Sequence, residues 1–200
     1  FLDLTDKKIV DVAKLPYAKQ VAQERINEML VSYARDGKDV VRLKGGDPYV
    51  FGRGFEELQA CAEAGLECSV VPGVTSAISV PAAAGVPVTQ RGITHAFTVV
   101  SGHLPPGHEK SLVDWSALAR TGGTVVVIMG VRNARAIADA LLDGGLDPAT
   151  PAAVIQEGET SAQRVFFATA ATLADEMETN NIAAPAVYVF GEAAGLAHAG

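Results

Sequence analysis

The chain is short of cysteine, of basic residues and of long apolar runs, and each scarcity excludes something. Cys61 and Cys68 are its only cysteines. Two are too few for the disulfide framework of a small secreted domain, and they read as reduced cytosolic thiols, one of them packed on a helix. His95, His103, His108 and His198 fall in no HExxH or Cys-His spacing, so no metal site is expected. The 16 Lys and Arg against 23 Asp and Glu leave a formal charge of −7. That balance argues against a nucleic-acid partner, which calls for a basic surface. It leaves room for a small anionic ligand, because a few local cations outvote the global field at short range. The longest strand-like apolar run, Thr124–Met129, is far below the ~18 residues of a membrane span, and no membrane partner is expected. There is also no initiator methionine and no secretory apolar stretch at Phe1-Leu2-Asp3-Leu4, so an upstream segment is expected.

What is present is the composition of a globular protein: 200 residues, 48% hydrophobic and 20% charged, enough for one large or two small domains. Ile9–Val12 reads as a short strand. Apolar residues at helical spacing predict a helix over Val21–Ala34, closed by Asp36-Gly37. Val40–Leu43 reads as the next strand, Phe55 to Ala62 as a helix stopping at Gly65, Cys68–Val71 as a strand and Ala77–Ala84 as a small-residue helix. Strand alternating with helix is the pattern of a parallel α/β sheet. The Gly and Pro punctuation of GVPVTQRGITH (85–95) marks a crossing. Beyond it lie strand candidates Ala96–Val100, Thr124–Met129, Ala152–Gln156, Arg164–Ala168 and Ala186–Phe190. Helices are expected over Ala134–Leu142, capped by Asn133, and over Leu173–Glu178, where Thr172 and Asp175 fit a capping box. Arg164–Ala168 follows another strand with no helix between, which suggests a mixed sheet.

In an open α/β sheet, ligands bind at the carboxyl edge of the parallel strands. KGGDP (44–48) and PGVTSA (72–77) both follow strands and both fall on that edge. Gly45 and Gly46 leave the backbone open to a ligand. Asp47 is expected as a free acceptor for hydroxyl or ammonium groups, while Thr75 and Ser76 offer hydroxyls and N–H groups at a helix start. Either loop alone is an ordinary βα turn; the pair on one edge points to a site. Phosphate fingerprints fail. Gly52-x-Gly54 lacks a third glycine, and Gly102-HLPP-Gly107 is followed by His108-Glu109 where Lys and Ser/Thr are required. Adenine, ribose and an amino-acid zwitterion would make better use of one carboxylate, a few hydroxyls and exposed backbone.

VVRLKGGDPYVFGRGFEE (40–57), VVPGVTSAISVPAAAGVPVTQR (70–91) and SGH (101–103) together resemble the tetrapyrrole methylases. Within them they resemble the uroporphyrinogen-III C-methyltransferase branch, which is also the C-terminal module of siroheme synthase. The likeness runs from VAK (12–14) to PAVYVFGE (185–192). The residues themselves read as two α/β lobes, 1–88 with a parallel sheet and 89–200 with a mixed sheet, and the resemblance implies the same two lobes with S-adenosylmethionine in the cleft between them. It implies C-methylation of uroporphyrinogen III, through precorrin-1 to precorrin-2, in the cytoplasm and by a homodimer, with S-adenosylhomocysteine as by-product. By match to the motifs, Gly45, Gly46, Asp47, Val50, Thr75, Ser76, Met129, Gly158 and Ala186 fall on cofactor positions, and Lys14 on an acid/base lysine. The substrate is a polycarboxylate, so a local cationic rim is expected from Arg53, Arg91, Arg132 and Lys14, with His103 as a hydrogen-bond donor.

The chain departs from the family in three places. Phe55 stands where the family writes glycine in GRGGEE, the stretch after Lys14 differs, and the GxGPGDP loop is absent. That loop, and an aspartate proposed as proton acceptor, are expected upstream. A sister methylase acting on a cobalt-corrin precursor, and a cofactor-binding fragment without catalysis, are the alternative readings.

Overall fold

Side chains of Thr124–Ile128 (β2) are buried without exception, because successive residues of a strand face opposite sides of a sheet and both sides are covered here. Val125 and Val127 join one core with Tyr188 and Phe190, while Val126 and Ile128 join a second with Val187 and Val189. The computed structural model describes residues 4–12 and 21–198. The chain forms two units, Phe1–Gly73 and Val74–Gly200.

The second unit is built on five strands: Phe97–Ser101 (β1), β2, Pro151–Gln156 (β3), Arg164–Thr169 (β4) and Ala186–Phe190 (β5). Their order is β1-β2-β5-β3-β4. Only β1 and β2 pair in parallel; β5 is antiparallel to both β2 and β3, and β4 is antiparallel to β3. The expected mixed sheet is therefore formed. Helices Trp115–Ala119 (α4), Ala134–Asp143 (α5) and Leu173–Thr179 (α6) contribute Trp115, Ile137, Leu141 and Leu173 to the first core. Ser76–Ala83 (α3) covers the other face with Ala77 and Val80. For that reason 74–88, assigned by sequence to the first lobe, pack with the second unit.

In the first unit, Gln23–Arg35 (α1) packs on Gly54–Glu63 (α2). The α1 helix places Glu24 in its first turn and Arg35 in its last, matching the helix dipole. The parallel sheet expected of this lobe is not formed among the described residues: segments 9–12, 40–43 and 68–71 carry no strand pairing. The period of two is nevertheless real. Arg42 and Lys44 turn inward onto Glu57, while Val41 (86% exposed) and Leu43 (68%) face outward. A ladder needs a neighbouring strand to take its N–H and C=O groups, and none of the described residues supplies one.

Two helix caps also differ from expectation. Asn133 makes no side-chain cap; its Nδ2 donates instead to the carbonyls of Gly102 (2.7 Å) and His103 (3.1 Å), tying the β1 loop to α5. Thr172 likewise makes no side-chain cap to α6, and Asp175 pairs with Arg135 rather than closing a capping box.

Candidate functional site

The glycine loop of the first unit is held by its own aspartate. Asp47 Oδ1 accepts from Tyr49 N (2.8 Å), and Oδ2 accepts from Gly73 N (3.0 Å), twenty-six residues along the chain. These N–H groups, Gly73 foremost and then Tyr49, hold the carboxyl below its ordinary range. The expectation of a free acceptor is thus corrected: the carboxylate clips the 44–54 loop to Gly73, and only its remaining lone pairs face outward. Gly73 has to be glycine, since a Cβ there would collide with the Gly46 carbonyl. Gly46 itself lies at φ +70°. Val50 N donates to Asp47 O (3.3 Å) and Gly54 N to Pro48 O (2.9 Å), completing a tight knot. Gly45 differs from these, because an added Cβ would meet no atom within 4 Å. Its backbone faces open space, the condition under which a ligand can lie directly on the chain. In the first unit the structure thus brings Gly45, Gly46, Asp47 and Val50 into one loop.

Behind the loop sits Glu57, a group that sequence reasoning missed. It is 5% exposed and accepts from Gln23 Nε2 (3.0 Å), Arg42 Nε (3.2 Å) and Lys44 Nζ (2.9 Å). Burial pulls its carboxyl upward, but hydrogen bonds from Lys44 and Gln23, with the charges of Arg42 and Lys44, outweigh it and the net shift is downward. The signal was available: a carboxylate at a core-spaced position of α2, and two cations at alternate positions before the glycines.

In the second unit, the carboxyl ends of β1, β2 and β3 share one sheet edge with the start of β5. Met129 follows β2 there, Gly158 follows β3, and Ala186 opens β5 opposite Gln156. Met129 (φ 56°), Glu157 (φ 51°) and Glu159 (φ 62°) are non-glycine residues in the left-handed region. Each costs on the order of 1 kcal/mol, and such strain gathers at functional edges. The backbones crowd here as well: a Cβ on Gly102 would come within 2.6 Å of Gly130 Cα, and one on Gly158 within 2.5 Å of Val80 in α3. Tyr188 donates to the Gly130 carbonyl at 3.1 Å from within the core, and burial pushes its phenol upward. Thr75 caps α3, its Oγ1 accepting from Ala77 N at 3.3 Å, and Ser76 is exposed in the first turn. Thr75 therefore has a structural task whatever else it does.

The described residues among the expected cationic groups are each exposed. Arg53 forks onto Glu56, Nε to Oε1 at 2.8 Å and Nη2 to Oε2 at 2.7 Å, which pushes the guanidinium pKa up. Arg91 is exposed in the turn bridged by Gln90 and Thr94, and His103 is exposed just after β1. Arg132 is exposed beside α5. Lys14 lies outside the described residues. No cluster that could hold a metal occurs among the described residues.

Comparison with known proteins bears on the whole chain. The family described as Tetrapyrrole (Corrin/Porphyrin) Methylases matches residues 2–174. An S-adenosyl-L-methionine-dependent uroporphyrinogen III methyltransferase of Methanosarcina barkeri is 47% identical over 183 residues, covering 92% of this chain and 72% of the relative. A siroheme synthase of Actinobacillus succinogenes is 46% identical over 94% of this chain, which spans only 38% of that longer protein. Among solved structures, the uroporphyrin-III C-methyl transferase of Thermus thermophilus complexed with S-adenyl homocysteine superposes with a TM-score of 0.74. It is 39% identical, and the match covers 87% of this chain and 75% of the other.

Proposed function

Because the chain belongs to the tetrapyrrole methylases, we propose that it is an S-adenosylmethionine-dependent methyltransferase that C-methylates uroporphyrinogen III, through precorrin-1 to precorrin-2. The observation that carries this reading is the identity with the Methanosarcina relative along nearly the whole chain. The product serves siroheme or cobalamin synthesis. When bound, S-adenosylmethionine supplies a methyl group already activated as a sulfonium. The protein's work is then to hold donor and acceptor in line and to keep water out.

The open backbone of Gly45, the Asp47 clip and the neighbouring Val50 are the candidates for holding the cofactor from the first unit. Thr75, Ser76, Met129, Gly158 and Ala186 are the candidates from the second unit. The residues present fit an adenosyl amino acid better than a phosphate ligand, since the loop offers carbonyls, N–H groups and one carboxylate but no free lysine: Lys44 is turned onto Glu57. The methylated ring must then release a proton, and Lys14 is the candidate acid/base group. Arg53, Arg91 and His103 are the candidates for substrate carboxylates. The enzyme acts in the cytoplasm as a homodimer, and a sedimentation mass near the 20.7 kDa of one chain would contradict the dimer.

Gly45→Ala tests the cofactor loop. The added methyl meets no atom of the described residues within 4 Å, so stability should hold while the S-adenosylhomocysteine dissociation constant rises about tenfold, equivalent to ~1.4 kcal/mol. Unchanged affinity would remove this loop from the site. Incubating the full chain with S-adenosylmethionine and uroporphyrinogen III should yield a dimethylated product by mass; no methylation of uroporphyrinogen III, with methylation of a cobalt-corrin precursor supplied in its place, would favour the sister activity.

A further inference from the structure

Two anchors flank the glycines of the 44–50 loop. On the far side Asp47 is clipped to Gly73. On the near side Lys44 reaches back to Glu57 Oε2 at 2.9 Å, with its side chain only 12% exposed. Between them lie Gly45 and Gly46, the residue type that loses most conformational freedom when a chain is fixed. A glycine pair left free at one end would sample many backbone states, and a ligand binding on it would have to select one of them.

Glu57 is built to prevent this. It projects from α2, takes Gln23 of α1 and Arg42 on Oε1, and leaves Oε2 to Lys44. Its three partners are all donors, so the site demands an ionised carboxylate: an amide in its place would set its own NH2 against a donor. We propose that Glu57 is a positioning residue for cofactor binding: through Lys44 it fixes where Gly45 and Gly46 leave the 40–44 segment, and so sets cofactor affinity without touching the cofactor. The proposal rests on the reading of Gly45–Val50 as a cofactor loop.

Arg42 supplies the control, because it pairs with the same carboxylate but does not adjoin the glycines. In the full chain, the dissociation constant for S-adenosylhomocysteine is measured by calorimetry alongside Tm, at a temperature where each variant is folded by circular dichroism. Lys44→Met should raise the dissociation constant about tenfold, equivalent to ~1.4 kcal/mol. Lys44→Arg, which keeps a donor, should recover much of the loss. Arg42→Met should lower Tm yet leave the dissociation constant within about twofold, and Lys44→Met added to Glu57→Gln should cost little more than either alone. Should Glu57→Gln fail to fold, the Lys44 and Arg42 variants still decide. Equal falls in Tm with unchanged affinity for both would overturn the proposal and make Glu57 a purely structural hub. Loss of affinity in Gly45→Ala but not in Lys44→Met would refute it while the loop reading stands. Unchanged affinity in Gly45→Ala would refute the loop reading, and the proposal with it.

Discussion

Asp47 shows how a residue can belong to a site without offering itself to the ligand. Both of its oxygens accept backbone N–H groups, and asparagine has one oxygen for the two. Asp47→Asn should therefore loosen the junction of the glycine loop with Gly73 and weaken S-adenosylhomocysteine binding while the helices remain folded. Calorimetry returning the wild-type affinity would dissociate the clip from binding. Acid should act on wild type in the same direction. The folded carboxyl titrates below its ordinary 3.8, so its contribution is complete above that value and is lost as pH falls below it, through the depressed folded value. Wild-type loop protection from protease should therefore decline in that window, and Asp47→Asn should lack that part of the decline. Asp47 and its glycines were legible as residues, because their types and spacing are unusual behind a β-branched run. Their partner was not: Gly73 is twenty-six residues away, and no local pattern encodes a carboxylate meeting a distant N–H.

At the scale of elements, what could be read depended on where each element finds its partners. The strands of the second unit each carry an apolar run, buried on both faces in the central strands and half-buried at the edges β1 and β4, and their expected bounds differ from the observed ones by a residue at most. Segments 40–43 and 68–71 carry comparable β-branched runs, yet no ladder forms, because pairing is a property of the neighbour and not of the segment. The short α4 helix escaped notice: its five residues carry too little periodicity, although Asp114 caps it through Ala117 N at 2.8 Å. Glu57 escaped for the opposite reason, since a charge on a helix ordinarily reads as solvated and only the assembled unit reveals three donors around it. The sheet edge allows a direct test of how its loops are held. Tyr188 is fully buried and donates to the Gly130 carbonyl at 3.1 Å. Tyr188→Phe keeps the ring and its edge-to-face contact with Phe190 but leaves that carbonyl without its phenol donor. The expected cost is about 1–3 kcal/mol, read from urea unfolding. A cost near zero would mean that water takes the place of the phenol.

Charge is the problem that only the whole molecule poses. A protein of net charge −7 has to admit a tetrapyrrole rich in carboxylates, so long-range repulsion must be overcome by contacts at short range. At ~0.15 M salt the Debye length is ~8 Å, which hides distant acidic groups but not an arginine touching the substrate. The KM for uroporphyrinogen III should therefore vary little with salt near that strength and strongly with the right arginine. The candidates are not equivalent. Arg53 is already forked to Glu56, and both side chains are about half exposed, at 46% and 48%. An exposed pair of this kind contributes only ~0–1 kcal/mol, so a substrate carboxylate can compete for the guanidinium, at the cost of displacing Glu56. Arg91 sits exposed in the Gln90–Thr94 turn, and among the described residues it forms no ion pair that would have to be broken before it can bind. Arg91→Ala should accordingly raise the substrate KM more than Arg53→Ala, and Glu56→Gln should lower it by releasing Arg53 for the substrate. Cofactor affinity should respond to none of the three. Steady-state kinetics in which Glu56→Gln leaves KM unchanged, with Arg53→Ala equally silent, would take Arg53 out of substrate binding and assign its fork to the α2 terminus alone.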